Sequence, residues 1–150
     1  MVADRSSTAP SARAARISGT AFAVAGAAAV VLGVISILAG VPSAAHDLVP
    51  LAGPSEVFGR FGETAPVLAA MLAAIVALGV AALMASGRLE PRAAAMELLI
   101  LGPIVGVCIR SALGRVGYAA DGGVMGATVV CLMGGMAVLA GGIVAFFGRE

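Results

Sequence analysis

The sequence predicts an all-α fold, an integral membrane bundle of four transmembrane helices with both termini cytoplasmic. Three observations carry that expectation. Hydrophobic residues make up 61% of the chain and charged residues 11%, where soluble proteins average about 25% charged. Mean hydropathy is +1.09. The apolar residues gather in four stretches, each long enough at about 1.5 Å per residue to approach a hydrocarbon layer roughly 30 Å thick. The connections between them are short, so the 150 residues read as one membrane domain with no separate soluble catalytic unit.

The first helix is expected over Ile17–Ala39, a run without charge, with Gly40 and Pro42 supplying stop signals. Arg13 and Arg16 precede it, and Ser43-Ala44-Ala45 resembles a small-residue cleavage site, so a signal peptide is the competing reading. Signal cores run about 7 to 15 residues, and this run is longer, which favours a retained helix. An outer loop over 41–64 follows. Within it Ser55 to Phe61 has the makings of an amphipathic turn with Phe58 and Phe61 at the interface. The second helix is expected over 65–85, capped by Thr64, with Pro66 in its first turn and Ser86-Gly87 at its end. The third spans 91–114 and the fourth 122–147.

Arginine placement sets the expected orientation. With a cytoplasmic N-terminus, Arg5, Arg13, Arg16, Arg88, Arg92 and Arg149 lie inside, against Arg60, Arg110 and Arg115 at the outer side. Tyr118, Phe146 and Phe147 then fall at interface positions. All the cations are Arg, and Lys, Asn, Gln and Trp are absent. That bias reads as a GC-rich, bacterial coding sequence, which with the spans implies the inner (cytoplasmic) membrane. A net charge of +1 without a basic run gives no footprint for nucleic acid.

Glycine spacing suggests how the helices meet. Gly19, Gly26, Gly33 and Gly40 recur every seven residues, so they share one face that drifts only about 20° per repeat. Gly134 and Gly141, then Gly135 and Gly142, repeat the step in the fourth helix, where Gly122 and Gly126 add a small-xxx-small pair. Gly102 and Gly106 place the same pair in the third. In lipid no hydrophobic force pushes helices together, so close backbone approach must supply the contact. The stripe predicts that Gly26 will not accept Leu, and that Val30, off its centre, will. The facing partner is either another helix of the chain or a neighbouring protein.

The third helix alone carries charge within its span. Glu97 and Arg110 bracket LLILGPIVGVCI, which covers only about 18 Å, so at least one lies below the headgroups. Thirteen residues apart means about 220° of rotation, so they are not each other's partners. For Arg110 one reading is an anion, headgroup or gating contact inside the bundle, with Asp121 as first counter-charge and Asp47, Glu56 or Glu63 behind it. The other is snorkelling to the outer headgroups. For Glu97 the choice is between a proton- or cation-exchanging carboxylate and an interfacial acid favoured by the helix N-terminus.

The remaining chemistry is sparse. Pro103 removes one backbone bond in the third helix and frees the Leu99 carbonyl, which predicts a kink. Cys108 and Cys131 form no C-x-x-C pair and read as packing residues. His46-Asp47 with Glu56 and Glu63 is too scattered for a metal site, and no close pair of internal Met residues flanks a His or Cys as copper ligands would. No catalytic residue, cofactor or metal is expected.

Arg110-Ser111-Ala112-Leu113-Gly114-Arg115 followed by Asp121-Gly122, with Gly59-Arg60-Phe61 before the second helix, resembles a bacterial family of small four-helix membrane proteins of unknown function. The resemblance covers about a third of the chain and implies four helices, without an activity. The chain departs from that pattern at Arg115-Val116-Gly117-Tyr118 and in its long first loop. The first helix lacks the deep carboxylate of four-helix multidrug transporters, and the chain lacks the Asn of small fluoride channels. Two functions remain as expectations. One is a non-enzymatic structural, accessory or assembly subunit that meets a larger membrane complex, or a second copy, through its glycine faces. The alternative is a small oligomeric transporter or channel lined by Arg110 and Glu97.

Overall fold

A computed structural model describes residues 9–44, 61–116 and 122–148. They form four α-helices: α1 Ala9–Ala44, α2 Phe61–Ala85, α3 Pro91–Val116 and α4 Gly122–Phe147. All four are long and apolar enough to cross a membrane. His46, Asp47, Glu56, Arg60, Tyr118 and Asp121, and most of the Ser55–Phe61 turn, lie outside the described residues.

Three helix ends differ from expectation by four residues or more, the first being the start of α1 at Ala9, well ahead of Ile17. Helix α1 runs through Gly40 and Pro42 to Ala44, and α2 begins at Phe61, which puts Thr64 inside the helix rather than at its cap. The physical reason is that hydropathy marks the apolar span, whereas the hydrogen-bonded ladder continues wherever φ and ψ allow. Proline close to a helix end forfeits a single bond while keeping a helical φ.

The α2–α3 turn is built locally. Gly87 adopts φ 73°, a conformation only glycine takes without strain. Its N–H donates to the Met84 carbonyl at 3.2 Å and the Arg88 N–H to the Leu83 carbonyl at 3.0 Å, the paired bonds of a Schellman cap. The Glu90 carbonyl then accepts the Ala94 N–H at 3.0 Å, with Pro91 as first helical residue, where its missing N–H costs nothing.

Helix α1 packs against α2 and α4, and α3 packs against α2 and α4, with only slight contact across the α1–α3 diagonal. Sequential neighbours are thus spatial neighbours, the up-and-down arrangement of a four-helix bundle. The side-chain distribution is inverted relative to a water-soluble bundle. The core is mostly Ala and Val, and its bulkiest fully buried members are Met84, Leu98 and Ile109. Large apolar side chains instead point outward from every helix, as with Leu32 at 64% exposure, Leu72 at 62%, Val107 at 69% and Met136 at 67%. In water such a wall of exposed apolar surface would drive association, whereas in lipid it is the favourable face. Hydroxyls follow the same logic: Thr20 Oγ1 donates to the Arg16 carbonyl at 2.8 Å and Ser36 Oγ to the Leu32 carbonyl at 2.9 Å. Both hydroxyls are satisfied within their own helix.

Candidate functional site, two glycine seams on one helix

Helix α4 carries two adjacent glycine stripes, and each meets a different helix. A Cβ placed at Gly26 would stand 2.5 Å from the Gly134 carbonyl oxygen, and one at Gly134 would stand 2.6 Å from the Gly26 oxygen. One turn-pair along, a Cβ at Gly19 would lie 2.9 Å from the Gly141 oxygen and one at Gly141 2.7 Å from the Gly19 oxygen. Gly33 continues the seam: a Cβ there would run into Cys131 Sγ and lie 2.9 Å from the Ala127 oxygen. The order Gly19–Gly141, Gly26–Gly134, Gly33–Ala127 is an antiparallel register with a seven-residue step on both helices. Cys131, fully buried, directs its thiol to the Val30 carbonyl of α1 at 3.6 Å.

The second seam joins α4 to α3 one residue over. A Cβ at Gly102 would lie 2.9 Å from the Gly135 oxygen, and one at Gly142 would lie 3.1 Å from the Ala95 oxygen. The α1–α4 seam is the tighter of the two, and in both a Cβ on one helix would stand against a carbonyl oxygen of the other. Backbone approach this close favours dispersion and Cα–H···O contacts worth about 0.5 to 1 kcal/mol each, the means by which helices associate in lipid.

Three sequence expectations need correction. Gly106 is not part of the α3 seam, since a Cβ there would meet nothing within 4 Å. The seam follows the seven-residue series Ala95, Gly102, Ile109, of which Ile109 is 1% exposed, and a four-residue step rotates about 40° off that line. Val30 is not peripheral: it is fully buried and its Cγ2 would lie 2.8 Å from a Cβ at Gly134. Four residues from Gly26, it sits about 40° away on the same face. Finally, the stripes formed by Gly19, Gly26 and Gly33, by Gly134 and Gly141, and by Gly135 and Gly142 with Gly102 meet other helices of the same chain, so their facing partner is internal. Among the described helical glycines, those with open space beside them are Gly79, Gly106 and Gly126. One seam position absent from the expected set is Gly148, where a Cβ would collide with Ala15. The same seven-residue step from Gly141 reaches it.

Glu97 and Arg110 both lie on exposed positions of α3, and neither has an ion partner among the described residues. Pro103 is exposed as well, within an α3 that is helical throughout. Among the described residues the only buried polar or charged side chain is Thr128, which is partnered. Also among the described residues, no group of three His, Cys, Asp or Glu side chains converges. An exposed Arg110 with no ion partner among the described residues is expected to matter little: Arg110→Ala should shift unfolding in detergent by no more than about 0.5 kcal/mol. A loss well above that, coupled in a double-mutant cycle to Asp121→Ala, would instead reveal a working pair.

No family model matches this chain, and no curated protein or solved structure gives a significant match to it.

Proposed function

We propose that this protein is a non-enzymatic, multi-pass subunit of a bacterial inner membrane, with an accessory or assembly role beside a larger membrane complex. The observation that carries the reading is the inverted bundle. Small residues and glycine seams close the inside, while large apolar side chains cover the outside of all four helices. A translocation path or a catalytic centre in a membrane needs several convergent polar groups. The buried set among the described residues is apolar apart from Thr128, and the outward positions of Glu97 and Arg110 favour this reading over transport through the bundle. What remains for a partner subunit is the outer wall, where Gly79 on α2 and Gly126 on α4 leave room for a close-packed helix.

Purification of the tagged chain from its native membrane in a mild detergent, with identification of copurifying proteins, tests the role. A stoichiometric larger complex is expected. A pure homo-oligomer would count against the accessory reading and favour transport.

The orientation has its own check. We place both termini in the cytoplasm, on the six-to-three division of Arg between the two sides. An impermeant thiol reagent applied to intact cells should label Ser55→Cys and spare Arg88→Cys. The opposite pattern would invert the topology.

A further inference from the structure

We infer that the end of the bundle formed by the α2–α3 turn binds the phosphates of anionic glycerophospholipids. The inference rests on the membrane reading above and adds to it a ligand class and a set of residues. The up-and-down topology gathers the start of α1, the end of α2, the start of α3 and the end of α4 at one end. That end displays Arg13, Arg88 and Arg92 as exposed side chains and Arg16 as a half-buried one. Among the described residues their acidic neighbours are Glu90 in the turn and Glu97, exposed and about 7.5 Å deeper along α3. None of the four arginines has an ion partner or a side-chain hydrogen bond among the described residues. At the opposite end Arg110 is the one charged side chain whose surroundings are described. Two helix N-termini and two C-termini meet at the arginine end, so their dipoles largely cancel and the guanidinium groups set the sign of the field.

The occupant has to satisfy two surfaces at once. At the same end, in the last turn of α4, Phe146 and Phe147 pack edge to face with ring centroids 5.1 Å apart and are exposed at 38% and 67%. Below them begins the apolar outer wall. A soluble phosphate would engage the guanidinium forks and leave the phenyl rings bare, and an acidic protein segment would meet apolar surface immediately below its charges. A lipid with a net negative headgroup matches both, with phosphate oxygens on the planar Arg donors and glycerol and acyl carbons against Phe146 and Phe147. The Schellman cap, by fixing Gly87, holds Arg88 at the tip of the turn rather than leaving it on a free loop.

The test uses the full chain purified in a neutral detergent. Phosphatidylglycerol, phosphatidylcholine with the same acyl chains, or inorganic phosphate is added, and the thermal unfolding midpoint is followed together with lipid adducts in native mass spectrometry. Phosphatidylglycerol should raise the midpoint by several degrees and remain bound, and about 0.5 M salt should weaken the effect. Phosphatidylcholine and inorganic phosphate should do neither. The pairs Arg13→Gln/Arg16→Gln and Arg88→Gln/Arg92→Gln should each reduce the shift, the four changes together should abolish it, and Arg110→Gln should leave it intact. If the fourfold variant loses helicity, the two double variants decide the question. An equal response to phosphatidylcholine, or a full shift in both double variants, would overturn the inference. Release of the wild-type protein from membranes by alkaline carbonate would be a separate failure, of the membrane reading itself.

Discussion

Gly26→Leu should break the contact between the first and last helices and cause the largest loss of stability of any single change in the chain. The approach at this point is backbone to backbone: a Cβ would stand 2.5 Å from the Gly134 oxygen and 2.8 Å from the Val138 nitrogen. No side-chain rotation can relieve a clash with a carbonyl, so α1 and α4 must separate and the whole seam loosens with them. Overpacking by a methylene or two in a closed core costs about 1 to 3 kcal/mol. Gly26→Ala should fall within that range, and Gly26→Leu should exceed it and abolish the folded bundle in detergent. Val30→Leu, at a fully buried seam position, should also destabilise. Gly79→Ala is the matched control, because its added methyl meets open space and gains up to about 1 kcal/mol of helix propensity. Comparable losses from Gly26→Ala and Gly79→Ala, measured by unfolding in the same detergent, would mean that the seam does not hold the bundle.

Gly33→Ala should be nearly as damaging, and Cys131→Ala should rescue part of the loss. The added Cβ collides chiefly with Cys131 Sγ, a side-chain atom, and secondarily with the Ala127 oxygen at 2.9 Å. Cys131→Ala alone removes the sulfur from a fully buried site and breaks its contact to the Val30 carbonyl, at an expected cost of about 1 kcal/mol. In the double variant the new methyl occupies space that the sulfur has vacated, so the combined loss should be smaller than the sum by about 0.5 kcal/mol or more. Full rescue is not expected, because the Ala127 carbonyl stays where it is. Strict additivity would show that the two residues do not share the space assigned to them.

Both effects follow from what lipid withholds. In water a bundle is held by burying large apolar side chains, and a lost methylene is felt through its transfer free energy. Among lipid tails that term disappears for the outer wall, and cohesion depends on how closely two backbones can approach. Glycine is therefore placed where α4 meets its two neighbours. On α2, which faces α1 and α3 mainly through Ala70, Ala73, Ala74, Ala77 and Ala81, alanine is small enough. The tight seams confine disruptive mutations to a few positions, and the exposed wall should tolerate exchange among apolar residues.

How much was legible in the sequence follows from the same physics. Composition and the length of the apolar runs determined the all-α class, the number of helices long and apolar enough to span a membrane and their approximate extents, because those depend on summed hydropathy and on a fixed rise per residue. The seven-residue spacing of Gly19, Gly26 and Gly33, and of the paired stripes on α4, likewise placed these residues on common faces. Tertiary structure alone decided which face meets which helix. It turned the stripes of α4 toward α1 and α3, left Gly106 beside open space, drew Val30 into the seam, and set Glu97 and Arg110 on outer positions. Periodicity fixes angles around one helix, but helices that are apolar on every side carry no polar face to mark outside from inside. That choice is made only when all four pack and the closest backbone approaches select the partners.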